Sequence, residues 1–239
     1  MDRDIIPGMT AIAAVHTPEG YILSADGRQT QDTVTNDETV KIFHSFPRNS
    51  VVAWGCYGAV EHTFTVFDSF DLAVVSLAAS KQIAGCDFSS LEDYAMKMAD
   101  CIHCVLSFYY LKHSAIINLS EEYFPGLVFV GYVKGKAEQV KVEIRHCDRR
   151  WLSPSKAAFT VYPSGLAIGY GPKVDDYPDK AGELHAPKTL DKGKQLTEGY
   201  IQLCIDALGE HGPIGGRIHS AAVTPKGFEW KTKPKGFDD

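Results

Sequence analysis

No apolar run in this chain reaches the roughly 18 residues that a membrane-spanning helix requires. The first nine residues, MDRDIIPGM, carry two aspartates and no apolar core, so they do not read as a secretory signal. Cysteine is sparse: Cys56, Cys86, Cys101, Cys104, Cys147 and Cys204 lie scattered through apolar segments. That spacing suggests buried free thiols in a reducing compartment rather than a disulfide framework. Together these absences point to the cytoplasm. Positive charge is also short, with 24 Lys and Arg against 30 Asp and Glu and a net charge of −6. Such a balance argues against a nucleic-acid binder or a protein of anionic membranes. Lys226, Lys231, Lys233 and Lys235 are spaced by Pro and Gly and read as a solvated tail. There is no internal repeat, linker or low-complexity stretch. What is present is an ordinary globular composition, 44% hydrophobic and 23% charged over 239 residues, enough for one large core.

Along the chain, hairpin signals come first. Thr10–Val15 and Tyr21–Ala25 are small and apolar around Thr17-Pro18-Glu19-Gly20, and Val40–His44 and Val51–Trp54 are two further short strands. From Ala59 to Lys81 apolar residues recur at helical spacing, which predicts a helix directly after the fourth strand. A second helix is expected from Ser89, which with Glu92 forms a capping-box pattern, to about Lys112. Strands return at Leu127–Val133 and Gln139–Arg145. Ala157–Val161 and Gly165–Ile168 read as another hairpin across Tyr162-Pro-Ser-Gly165. A third helix is predicted over Leu190–Leu208, and Arg217–Val223 with Gly227–Trp230 make a last hairpin. Grouped antiparallel hairpins with helices between them suit an α+β fold of two stacked sheets covered by helices.

The most informative residue is Thr10. Methionine aminopeptidase removes an initiator Met when a small residue follows, so a start at Met9, or loss of residues 1–9, would leave Thr10 at the N-terminus. A threonine there carries a hydroxyl nucleophile and an α-amine base on one residue. Asp26 ends the strand expected beside it, and Lys41 opens another.

The run Thr10-Ala-Ile-Ala-Ala-Val, followed by Gly20-Tyr-Ile-Leu-Ser-Ala-Asp26-Gly-Arg28, resembles the opening of proteasome-family β-type and bacterial proteasome-like subunits. Val40-Lys41-Ile42 is similar to that family's lysine-bearing strand. Gly55–Glu61 resembles its Gly-rich turn into the first helix. Gly169-Tyr170-Gly171 resembles its Gly-Ser-Gly segment, and Ile214-Gly215-Gly216-Arg217-Ile218 its Gly-Gly entry into a late strand. The resemblance implies a four-layer αββα sandwich of the N-terminal-nucleophile hydrolase type, a single domain over 10–239, with 1–9 a propeptide or a misassigned upstream start. It implies a threonine-type peptidase without cofactor or metal. Thr10 is then nucleophile, Lys41 favours the alkoxide electrostatically, and Asp26 holds Lys41 charged. Backbone at Tyr57 and Gly58 faces the oxyanion. Arg28 to Thr30 and Gly58-Ala59 pair with an extended peptide or unfolded-protein substrate. Partners implied are copies of the chain in a ring and an ATPase unfoldase, with no nucleic acid and no membrane.

Four positions depart from the family pattern. Met9 stands where self-processing members have Gly, and the Thr10–Lys41 spacing is one residue short. Tyr170 replaces a serine. His211-Gly-Pro-Ile214 replaces Asp-x-x-Ser, leaving His211 as a candidate support. Two readings therefore stay open beside the peptidase: an inactive structural ring subunit and an amidase of small amides. Cys101-Ile-His-Cys104 has ligand-like spacing but no second pair, so core thiols are expected there. Gly55-x-x-Gly58 lacks the spacing and lysine of a phosphate loop.

Overall fold

The computed structural model describes residues 10–31, 34–57, 61–65, 68–113, 126–144, 158–161, 166–168, 187–209 and 212–235. Strands β1 (Ile12–Thr17) and β2 (Gly20–Ala25) form the first hairpin. Then come β3 (Gln29–Gln31), β4 (Val34–Asn36), β5 (Ile42–Ser45) and β6 (Ser50–Tyr57). Next are β7 (Glu61–Thr65), β8 (Asp68–Asp71) and helices α1 (Leu72–Ile83) and α2 (Leu91–His113). Strands β9 (Gly126–Val133), β10 (Lys136–Glu143), β11 (Ala158–Val161) and β12 (Leu166–Ile168) precede α3 (Leu190–Leu208). The last pair is β13 (His219–Thr224) and β14 (Gly227–Thr232).

Two five-stranded sheets, each antiparallel throughout, carry the fold. One runs β12-β1-β2-β13-β14 and the other β11-β10-β9-β6-β5. The period of two divides β1 and β2 between two cores. Ile12, Ala14, Tyr21 and Leu23 pack with Ala53, Val128 and Val130 of the second sheet. Ala13, Val15 and Ile22 pack instead with Leu196, Tyr200 and Ile201 of α3. The far side of the second sheet, with Trp54, Phe129 and Val142, packs with Leu91, Tyr94 and Met98 of α2. Apolar side chains thus lie between the sheets, and each sheet has helix packed on its other face. At Gly55 the Ile12 side chain occupies the space of a side chain: a Cβ there would fall 1.7 Å from Ile12 Cδ1.

Three local expectations are corrected. The helix expected from Ala59 begins later: residues 61–65 and 68–71 are the paired strands β7 and β8, and α1 starts at Leu72. Asp71 fixes that start by accepting from the Ala73 and Val74 N–H groups at 2.8 and 3.2 Å. Gly55 therefore lies inside β6 rather than in a turn into a helix. The α2 cap is shifted by one residue, since Ser90 Oγ accepts from the Asp93 N–H at 3.1 Å. Finally, β11 and β12 are not a hairpin. β11 pairs with β10 in one sheet and β12 with β1 in the other, so the chain crosses between sheets there. The third helix lies where its periodicity places it, capped by Thr189.

Candidate active site

The β1–β2 hairpin brings Asp26 opposite Ala11, one residue from Thr10. Asp26 N–H donates to the Ala11 carbonyl at 3.2 Å, and Ala11 N–H returns a bond to Asp26 Oδ1 at 2.9 Å. By strand alternation Thr10 shares the face of Ile12, the face turned to the second sheet. Lys41 comes from that sheet, one residue before β5, where its carbonyl accepts from the Cys56 N–H. Its Nζ lies 3.1 Å from both Asp26 oxygens and donates also to the Arg28 carbonyl.

This ion pair is out of water, with Asp26 at 0% and Lys41 at 3% exposure. Burial pushes the Asp26 carboxyl up and the Lys41 ammonium down. Their mutual attraction opposes both shifts, and N–H bonds from Gly215 (3.1 Å) and Ala11 oppose the one at the carboxylate. Arg28 N–H adds another at 3.2 Å. A carboxylate so surrounded by donors keeps its charge. At Lys41 burial prevails, and its proton is held less tightly than on an exposed lysine.

Arg28 ties the surrounding loops together. Its guanidinium bonds Asp37 in fork geometry at 2.7 and 3.2 Å and the Gly212 carbonyl at 3.1 Å. Its hydrogen bonds hold the Asp37 carboxyl below the usual carboxylate range. Gly215 lies against the guanidinium, where a Cβ would fall 2.6 Å from Arg28 Cζ. Gly215 thereby supplies an N–H to Asp26 that the Gly-Gly pattern did not reveal.

Of the other sequence-predicted positions, Thr30 lies in β3, opposite Thr35 of β4. Tyr57 ends β6, buried, with its hydroxyl donating to the Val142 carbonyl at 3.3 Å. Ile214 is fully buried in the apolar cluster beneath α3. Gly58, Ala59, Tyr170, His211 and residues 1–9 lie outside the described residues. Cys101 and Cys104 lie on α2, half-buried and exposed respectively rather than core thiols, and no group of three or more metal-ligand side chains is assembled among the described residues. No helix among them is long and apolar enough to cross a membrane. Sequence reasoning missed three nearby residues: Asp37, Glu38 and the fully buried His219.

No family model matches the chain, and no curated protein matches it significantly. Solved structures do resemble it. The Anbu complex of Pseudomonas aeruginosa, described as a helical assembly, aligns over 95% of this chain and 88% of its own, at TM-score 0.64 and 12% identity. Anbu of Yersinia bercovieri, described as an ancestral beta-subunit, aligns over 93% and 87%, at TM-score 0.61 and 12% identity. A Gly-1 mutant of Anbu from Hyphomicrobium sp. strain MC1 aligns over 90% and 81%, at TM-score 0.61 and 11% identity. At such identities the likeness is one of fold: this chain shares the fold of the Anbu structures.

Proposed function

We propose that this chain is a threonine-type amidohydrolase that cleaves peptide bonds with Thr10 as an N-terminal nucleophile. The observation that carries this reading is the buried Asp26–Lys41 ion pair beside Thr10. The sheet-on-sheet packing with helices outside is read accordingly as the αββα layering of N-terminal-nucleophile hydrolases.

In the full chain the Thr10 nitrogen is an amide; once residues 1–9 are gone it is an amine able to accept a proton. The Thr10 hydroxyl proton then passes to that amine as Oγ1 attacks the substrate carbonyl carbon. Lys41, held by Asp26, is assigned the positive field that favours the developing alkoxide. Backbone N–H at Tyr57 and Gly58 takes the role of oxyanion donor. Collapse breaks the C–N bond, the amine returns its proton to the leaving nitrogen, and water hydrolyses the threonyl ester. β3 uses one edge for β4, and an extended peptide would take the other. The helical assembly of the P. aeruginosa neighbour supports self-association here. A closed ring and an open helix are the two ways a head-to-tail interface can repeat. A cytoplasmic location and an ATPase partner belong to the same reading.

Intact mass decides whether the mature chain begins at Thr10; a mature chain retaining residues 1–9 blocks the amine and sinks the reading. In the processed protein, Thr10→Ala is expected to reduce peptide-amide hydrolysis by about 10³-fold or more while self-association persists. A second reading, an inactive structural subunit, is favoured by Ile214, an apolar core residue where the family pattern has serine. Wild-type chains starting at Thr10 that turn over no peptide would establish it; turnover of small amides alone would point to the amidase.

A further inference from the structure

His219 opens β13 directly opposite Ala25, the last residue of β2, so it stands beside the Asp26 site. The imidazole is fully buried, and neither ring nitrogen has a hydrogen-bond partner among the described residues. Nε2 lies 3.6 Å from Glu38 Oε2, just beyond hydrogen-bond reach. Glu38 is in turn approached by the Lys235 backbone N–H and Nζ, each at 3.4 Å. On the other side, the ring abuts Gly27. A Cβ there would fall 3.2 Å from His219 Cε1 and 2.6 Å from the carbonyls of Arg217 and Asp37. Gly27 and Arg28 are the backbone of the site: Arg28 N–H binds Asp26, and the Arg28 carbonyl accepts from Lys41. The Gly27 carbonyl accepts from Thr39 N–H at 2.9 Å.

We propose that His219 is a positioning residue, whose neutral ring wedges the Gly27–Arg28 backbone against the Asp26–Lys41 pair and whose protonation draws it toward Glu38 and off that backbone. The catalytic significance rests on the function proposed above; the coupling itself does not. Burial lowers the His219 pKa, Arg217 and Lys41 lower it further, and Glu38 opposes them. Asp26 contributes an anion on the far side of Gly27. The unfolded chain therefore takes up the proton first. The stability His219 contributes is complete above the unfolded value of about 6.5 and is lost as pH falls toward the folded value.

The test uses backbone amide NMR of the full chain across pH 4.5 to 8. The Ala11, Arg28 and Gly215 amides, all bonded to Asp26, are expected to shift in one step with the midpoint of the His219 ring itself, below about 6.5. In Glu38→Gln that midpoint should fall by about one pH unit, because the opposing anion is gone. In His219→Phe the step should vanish. Amides that stay fixed through the ring titration, or a step that survives in His219→Phe, would overturn the proposal. If His219→Phe does not fold, the Glu38→Gln midpoint carries the test, and an unmoved midpoint overturns it. Absence of peptide hydrolysis in the processed wild type would remove the function proposed for Thr10 yet leave these shifts in place, so the two failures are separable.

Discussion

Two fully buried polar residues stand two apart in the chain, Ser24 within β2 and Asp26 just past its end, and their sites are built on opposite principles. At Ser24 a chain of hydroxyls runs beneath α3: Ser24 Oγ lies 2.7 Å from Thr197 Oγ1 and 2.8 Å from Ser220 Oγ. Ser220 donates to Glu198 at 2.6 Å, and Glu198 is ion-paired with Lys194 at 2.9 Å. A carboxylate accepts only, so the direction follows: Ser220 has used its proton, Ser24 must donate to Ser220, and Thr197 to Ser24. At Asp26, by contrast, a charge pair replaces the hydroxyls. Taking two charges out of water is expensive, and a buried ion pair is weak evidence for stability. The neutral relay fastens helix to sheet. The ion pair adds little that packing could not supply, so its presence beside Thr10 argues for chemistry.

The sharpest way to break this comparison is to remove one charge. Asp26→Ala leaves Lys41 buried and unpaired, with the Ala11, Arg28 and Gly215 N–H groups stripped of their acceptor. A loss of about 3–5 kcal/mol is expected in urea unfolding. The double change Asp26→Asn with Lys41→Met should recover part of that loss, because the desolvation cost goes with both charges while the Asn oxygen still accepts from the backbone N–H groups. Hydrolysis should be absent from both variants. A double variant that is as unstable as Asp26→Ala would mean that the pair is structural, and the contrast with Ser24 would collapse.

A smaller effect is expected on the other side. Glu198→Ala removes the acceptor at the end of the relay, leaving Ser220 and Thr232 without the carboxylate oxygen they share. About 1–2 kcal/mol should be lost, since Glu198 is partly exposed and water reaches it. Peptide hydrolysis per folded molecule should be unchanged, as measured by active-site titration. Loss of turnover would show that the two sites are coupled through β2.

The two sites were also unequally legible in the sequence. Thr10, Asp26 and Lys41 stand at hairpin positions whose order resembles a family opening, and local turns bring the first two together. The third helix was legible because its apolar period and Thr189 cap agree. The crossover between β11 and β12 was not legible: Tyr162-Pro-Ser-Gly165 looks like a hairpin turn locally, while β11 pairs back to the preceding β10 and β12 to β1, far back in the chain. Helical spacing across 61–71 misled for a related reason, since Asp71 capping places the helix start later. His219, Glu38 and Asp37 carry no local signal, because their roles arise only when residues 27, 37–38 and 217–219 converge. The relay was silent too: single serines and threonines in strands are common β-sheet residues.

The mildest change probes the relay at its centre. Ser24→Ala removes the link between Thr197 and Ser220, yet each neighbour keeps a partner. The Thr197 hydroxyl can turn fully to the Gly193 or Lys194 carbonyl, already at 3.1 and 3.2 Å, and Ser220 still donates to Glu198. What remains unpaired is one acceptor lone pair on Ser220, and the void is the size of an oxygen. About 0.5–1.5 kcal/mol should be lost in the same unfolding measurement, with hydrolysis unaltered. The ratio to Asp26→Ala is the informative quantity. A relay of neutral groups degrades one bond at a time because each member has an alternative acceptor. An ion pair fails all at once, since Asp37, another anion whose field reaches Lys41, is already held in the Arg28 fork and cannot replace Asp26. A Ser24→Ala loss as large as that of Asp26→Ala would mean the hydroxyl chain is as strictly required as the charges, and the assignment of chemistry to one site alone would fall.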